Sequence, residues 1–182
     1  KEPEPCEYKF LRENQILFTY LHLAPNPGLT KALMDKKVKG VAFETIVDKA
    51  GNLPCLRPMS QIAGRLSIQE GAKYIEKSYG GRGILLGGVP GVERGKIVIV
   101  GGGIAGTYAA KAAVGIDAEV TLLDIDLNRL AYLEDIFGAS VTTLYSTEAN
   151  IRKSLKEADL VIGSVLIPGG RTPKLVRREH LK

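Results

Sequence analysis

Apolar and polar positions follow two different rhythms along the chain. Residues 16–22 (ILFTYLH) form an almost continuous apolar run rich in β-formers, which predicts a strand buried on both faces. After the break at Pro25-Asn26-Pro27-Gly28, residues 29–37 carry Leu29, Ala32 and Leu33 ahead of Lys36 and Lys37, the spacing of a short amphipathic helix. Residues 38–47 read as a second strand, ended by a turn over 48–52. Strand, helix and strand in this order make a βαβ-like unit. The longest helical pattern covers 58–78, with Pro58 suited to a first turn and Ile62, Leu66, Gln69, Ala72, Lys73 and Glu76 marking its faces. Residues 80–95 then hold seven glycines and a proline, which no regular helix tolerates. That stretch reads as a flexible joint, although Ile84, Leu85 and Leu86 have the look of packed residues.

Beyond the joint the alternation becomes regular. Strands are expected over 96–100, 119–124, 140–145 and 158–163, with helices over 103–115, 127–137 and 148–157 between them. A loop covers 164–172 and a last helix is expected over 173–182. Strands separated by helices of about ten residues mean a parallel sheet with crossover connections. The fold class is therefore α/β: a Rossmann-type doubly wound sheet, incomplete at about four strands where the full fold has six. The first βαβ unit is expected to belong to a second α/β domain. The domain reading is 1–57 for part of that second domain, 58–95 for an interdomain helix and glycine-rich linker, and 96–182 for a nucleotide-binding domain.

Composition removes several classes of function. Hydrophobic residues make up 45% and charged residues 25%, as in an ordinary globular protein rather than a disordered or disulfide-stapled chain. Of the net charge of +5, residues 171–182 supply +4, through Arg171, Lys174, Arg177, Arg178 and Lys182 against Glu179. Nucleic-acid surfaces spread basic residues over a face with aromatics interleaved, so a terminal cluster argues against that partner. Cys6, Cys55, His22 and His180 are the whole thiol and imidazole inventory, too few and too scattered for a zinc site. Two lone thiols suit a reducing, cytoplasmic compartment. No run of eighteen uncharged apolar residues is present to span a membrane, and the opening Lys-Glu-Pro-Glu-Pro is not a signal peptide.

Gly101-Gly102-Gly103-Ile104-Ala105-Gly106 matches G-x-G-x-x-G, which alone is a weak signal. Its context strengthens it. The apolar strand KIVIV runs into it, the small-residue helix beginning at Ile104 and Ala105 runs out of it, and Asp124 ends the next strand about twenty positions later. Gly101 would allow the tight turn, Gly103 would let a pyrophosphate approach the backbone, and Gly106 would let helix and strand pack closely. Helix N–H groups and the positive end of the helix dipole then hold phosphates without a basic side chain. Asp124 accepts ribose hydroxyls and repels a 2′-phosphate, which points to NAD, while Arg129 five residues on leaves some tolerance for phosphate. Capping the following helix is the other duty open to Asp124, and Asp126 is better placed for it.

With those residues in view, five segments in order resemble alanine dehydrogenase: KEPEPCEYKFLRENQILFTYLHLA, RPMSQIAGRLSIQEGA, GGRGILLGGVPGVERGKIVIVGGGIAGTYAAK, LLDIDLNRL and DLVIGSVLIPGGRTPKLV. The NAD-binding subunit of proton-translocating transhydrogenase shares the plan, but the GGVPGVERGK joint is closer to alanine dehydrogenase. The resemblance implies reversible, NAD-dependent oxidative deamination of L-alanine to pyruvate and ammonium by a homo-oligomer, with residues 1–57 part of a flavodoxin-like α/β catalytic (substrate) domain. It places the substrate-contacting lysine at Lys1, the acid/base histidine at His22, a cofactor-side serine at Ser60 and the pair lining the nicotinamide at Val165 and Leu166. Read without the resemblance, His22 is sooner a satisfied core residue at a strand end, Lys1 an exposed terminal charge and Ser60 equally a helix N-cap or first-turn residue. Imidazole nonetheless suits proton transfer near neutrality.

The family pattern also has an arginine ahead of the KEP lysine and an aspartate after a fifth strand, neither of which falls within this sequence. The chain is therefore expected to be part of a longer enzyme, weakly active or inactive alone, with its open sheet edge hidden by self-association. A non-catalytic NAD-binding fragment and a transhydrogenase-type subunit are the alternatives.

Overall fold

The computed structural model describes residues 2–181, and these divide into two compact units. One comprises Lys1–Met59 with Leu166–Thr172, the other Ser60–Val165 with Pro173–Lys182.

In the larger unit, four strands lie parallel in the order β5-β4-β3-β6, with β3 Lys96–Val100, β4 Glu119–Asp124, β5 Val141–Tyr145 and β6 Leu160–Gly163. This is the order of the first four strands of a doubly wound sheet. The intervening helices are α3 Ile104–Gly115, α4 Leu127–Phe137 and α5 Glu148–Glu157. KIVIV forms a central strand because both sets of alternate side chains find cover. Ile97 and Ile99 pack with Ala109, Ala113, Leu122 and Leu133 on one face. Val98 and Val100 pack with Leu123, Ile151 and Leu155 on the other. Ile97 and Ile99 are fully buried, a contribution of about 1.5–3 kcal/mol for each such side chain. Caps set the helix starts: Asp126 accepts from the Asn128 and Arg129 N–H groups, and Thr147 from that of Asn150.

The helix expected over 58–78 is α2, Arg57–Tyr74, followed by a 3-10 turn at Lys77–Tyr79. Its glycines bring it against its neighbours. A Cβ on Gly64 would overlap the Ala105 carbonyl of α3, and one on Gly71 would meet the Leu160 side chain of β6. The glycine-rich stretch 80–95 is held rather than free. Leu86 is buried, the Gly95 N–H donates to the Leu86 carbonyl at 2.9 Å, and the Gly95 carbonyl accepts from Glu119 at 3.0 Å. Asp159 accepts the Lys96 N–H at 2.9 Å and pairs with Arg82 at 3.1 Å, which ties this stretch to the sheet. Glycine there serves close packing, the property that composition alone reads as flexibility.

The smaller unit holds β1 Ile16–Thr19, α1 Pro27–Asp35 and β2 Lys39–Ala42, with β1 and β2 parallel. Both strands are shorter than expected. Ile16 and Phe18 are 70% and 62% exposed, so β1 is not buried on both faces. The reason is that this sheet has two strands among the described residues, and only its Leu17 face packs with Leu11, Leu21, Leu29 and Leu33. His22 has a left-handed backbone (φ 45°), which takes residues 20–22 out of the ladder, and β2 gives way to a 3-10 turn at Phe43–Thr45.

The helix expected over 173–182 is absent among the described residues, apart from a 3-10 turn at Arg178–Leu181. Leu175 and Val176 are adjacent rather than three or four apart, so an α-helix would present no apolar stripe. Extended chain lets both pack against the Ile151 and Leu155 cluster. His180, expected in solvent, has a side chain only 3% exposed, and its Nδ1 accepts from the Arg177 N–H at 3.2 Å. Arg177 itself pairs with Glu148 and Glu179 at 3.6 and 3.5 Å, so part of the terminal charge is neutralised locally.

Candidate functional site

Two separate sets of residues carry chemistry, one in each unit. The first is the turn between β3 and α3. Gly101 has φ 108°, and its N–H donates to the Leu123 carbonyl at 2.7 Å. A Cβ there would strike the Ser164 backbone and the Val165 side chain. Gly106 faces the Gly101 carbonyl so closely that a Cβ would overlap its oxygen, which fixes helix α3 against the strand end. Gly103 is different. It is the N-cap of α3, no side chain caps the helix there, and a Cβ would meet nothing within 4 Å. No side chain therefore caps the first N–H groups of α3, beginning at Ile104 and Ala105, and the space at the Gly103 Cα is open, an arrangement suited to an anion.

Asp124 closes one side of this space. Its Oδ2 accepts the Gly102 N–H at 2.5 Å and its Oδ1 the Asp126 N–H at 2.9 Å. A carboxylate has about four acceptor positions, so two remain for hydroxyl donors. Asp124 thus braces the turn while Asp126 caps α4. Arg129 also reaches the turn, but from within: Nε donates to the Gly102 carbonyl and Nη2 to Thr107 Oγ1, both at 2.6 Å. Thr107 is the buried polar residue of this unit and donates to the Gly103 carbonyl at 2.8 Å. Ser164 Oγ donates to the Gly101 carbonyl at 2.7 Å, and Val165 packs beside it. Ser60 lies in the first turn of α2, next to Gln61, whose amide donates to the Tyr108 hydroxyl of α3 at 3.0 Å.

The second set lines a cavity of about 310 Å³ within the smaller unit, among them His22, Glu44, Thr45, Leu56 and the segment 166–170. Leu166 lines this cavity, while Val165 packs beside the glycine turn. Glu44 Oε1 accepts two consecutive backbone N–H groups, Leu21 at 3.1 Å and His22 at 2.9 Å, and so holds the left-handed turn that presents His22. The Tyr20 ring meets His22 edge-on at 4.7 Å. Burial first, and the Glu44 carboxylate after it, push the Tyr20 phenol above its usual range, so it stays neutral beside the imidazole. Lys1 lies outside the described residues.

Glu44, Thr107 and Ser164 were not singled out from sequence. Thr107 carried a usable signal, since a threonine inside a helix of alanine and glycine bonds back to the preceding turn. Glu44 carried none, because its partners lie 22 and 23 positions away. Among the described residues no group of three His, Cys, Asp or Glu is placed to hold a metal ion, and no helix is long and apolar enough to cross a membrane.

Comparison with known proteins agrees with this fold. Residues 67–182 match the family described as "Alanine dehydrogenase/PNT, C-terminal domain". Residues 1–63 match its N-terminal domain. The chain is similar over all 182 residues to an alanine dehydrogenase of Methanococcus maripaludis, at 62% identity, and covers 49% of that protein. It is 53% identical to an alanine dehydrogenase of Bacillus subtilis, of which it covers 48%. The chain thus spans about half the length of the curated relatives it matches. A solved L-alanine dehydrogenase superposes with a TM-score of 0.85 at 53% identity, over 99% of this chain and 50% of that one. A transhydrogenase from Sinorhizobium meliloti, at 21% identity, shares the fold over 99% of this chain and 52% of that one, with a TM-score of 0.74. The matches to both domain families, which together take in nearly every residue, place this chain in the alanine dehydrogenase/PNT family.

Proposed function

We propose that the full protein is an NAD-dependent L-alanine dehydrogenase, interconverting L-alanine and water with pyruvate and ammonium. The observation that carries this reading is 62% identity to an alanine dehydrogenase across the whole chain. The open, uncapped start of α3 beside Asp124 supports the choice of nucleotide. When bound, NAD supplies the acceptor for the hydride leaving the alanine Cα. Residues 96–182 act as the nucleotide domain, 58–95 as its connection, and 1–57 as part of the substrate domain.

In this reading Gly101, Gly103 and Gly106, with Ile104 and Ala105, hold the phosphates on backbone N–H groups, and Asp124 binds the ribose hydroxyls. Ser60, Val165 and Leu166 complete the cofactor contacts, and Arg129 secures the turn. His22 takes a proton from the water that adds to the imino carbon and returns it to the departing amine. Lys1 meets the substrate carboxylate and carbonyl. The reaction needs no metal, nucleic acid or membrane partner, and the compartment is cytoplasmic.

L-Alanine added to the full-length protein with NAD should raise absorbance at the NADH band, and pyruvate with ammonium should reverse it. Tight NADH binding without dependence on alanine or pyruvate would leave a binding module. Hydride exchange between NADH and an NADP-bound partner would leave a transhydrogenase subunit instead. The same reading includes self-association. Met59, Ile62 and Leu66 recur at helical spacing on α2 and are 44%, 65% and 46% exposed. Sedimentation should give an oligomer, and a monodisperse monomer would count against it.

A further inference from the structure

A cation lies beside the carboxylate that selects the nucleotide. Arg129 bonds through Nε to the carbonyl of Gly102, the residue whose N–H donates to Asp124. Its Nη2 bonds to Thr107 Oγ1, and its guanidinium stacks over the Tyr132 ring at 4.8 Å. Thr107 is buried at 5% exposure and is itself fixed by its bond to the Gly103 carbonyl. Guanidinium reads phosphate by directing two parallel N–H groups at it. The edge that joins Nε and Nη2 is already committed to the protein.

We infer that Thr107 is a specificity-positioning residue. By anchoring Arg129 to the glycine turn, it withholds from a ribose 2′-phosphate the cation best placed to bind it. Two residues then act against NADP: Asp124 repels the phosphate, and Thr107 keeps the Nε–Nη2 edge of the nearby guanidinium occupied. Replacing Asp124 alone removes repulsion but supplies no bidentate contact through the Nε–Nη2 edge, because that edge stays bound in the turn. Releasing Nη2 as well leaves one bond at Nε and lets the guanidinium turn outward. The inference rests on the NAD reading above.

The test is a set of NADH and NADPH dissociation constants for the full-length protein, read from dihydronicotinamide fluorescence. Asp124→Ala should narrow the preference for NADH. Asp124→Ala with Thr107→Val should bind NADPH about ten-fold tighter than Asp124→Ala alone, the scale of one charge-assisted contact. Asp124→Ala with Thr107→Ser keeps the hydroxyl and should stay within about two-fold of Asp124→Ala. Adding Arg129→Met to the valine pair should abolish the gain. Thr107→Ala serves the same comparison if the valine variant does not fold. A wild-type protein that binds neither nucleotide overturns the NAD reading beneath. Wild-type NADH binding with no NADPH gain in the valine or alanine pair, or a gain that survives Arg129→Met, overturns the role of Thr107 alone.

Discussion

Gly106→Ala in the full-length protein will lower its melting temperature by roughly 2–4 °C, whereas Gly103→Ala will leave it unchanged or slightly raised. Both substitutions add one methyl group to the same turn. At Gly106 that methyl would overlap the Gly101 carbonyl and approach Ser164 Oγ. Backbone cannot yield as a side-chain tip can, so the cost lies at the upper end of overpacking, about 3 kcal/mol. Alanine regains about 1 kcal/mol over glycine inside a helix, and the loss still dominates by about 2 kcal/mol. Gly103 has φ −62° and ψ −165°, which alanine adopts without strain, and its methyl would meet no protein atom within 4 Å. Stability there changes by only a few tenths of a kcal/mol, because the roughly 0.4–1 kcal/mol gained by restricting the unfolded chain is offset by alanine being the poorer N-cap. The methyl instead occupies the space proposed for the pyrophosphate, so NADH affinity should fall about ten-fold or more, as loss of a phosphate contact implies. Thermal unfolding and NADH fluorescence titration read the two effects separately. A Gly103→Ala protein that binds NADH like wild type would remove the turn from the nucleotide site.

How legible such roles were in the sequence depended on the distance over which each residue acts. Strands β3 and β4 and helices α4 and α5 have the bounds that their apolar runs predict, because their ends are set locally. KIVIV stops at Gly101, and Asp126 and Thr147 cap the helices that follow them. The glycine fingerprint was legible for the same reason, since strand, turn and helix are contiguous. Its separate duties were not. Sequence treats Gly103 and Gly106 alike as small residues, yet one leaves space and the other removes a clash, a difference made by where the Gly101 carbonyl points. Arg129 was placed near the cofactor from its offset to Asp124. That it faces inward, to Gly102 and Thr107, follows from the packing of α4 on the sheet. In the smaller unit, β-forming composition described Ile16 and Phe18 correctly as strand residues. Burial is a property of what covers them, which composition does not encode. Leu175 and Val176 show the converse: in a basic segment that reads as a helix, two adjacent apolar residues found cover by remaining extended.

His22→Asn should lower kcat for alanine oxidation by about 10²–10⁴-fold, the usual contribution of a positioned proton-transfer group. Asparagine is the informative replacement. His22 holds φ 45°, a conformation costing most residues roughly 1–2 kcal/mol but open to asparagine, so the backbone keeps its course while the imidazole is lost. NADH affinity should stay within about two-fold, because the cavity residues proposed to act on substrate do not include the glycine turn. Glu44 separates placement from chemistry at the same site. Its carboxylate accepts the Leu21 and His22 N–H groups together. Glu44→Ala would leave two donors without that acceptor, at about 1–3 kcal/mol for each donor that stays buried, and would free the chain to leave the left-handed turn. Glu44→Gln keeps an acceptor oxygen in place. The expected order of kcat is therefore wild type, then Glu44→Gln, then Glu44→Ala, with the alanine variant down by about ten-fold or more and the glutamine variant by less. If His22→Asn retains wild-type kcat, His22 does not transfer the proton. If His22→Asn is inactive while Glu44→Ala remains fully active, the imidazole is needed but the carboxylate does not position it.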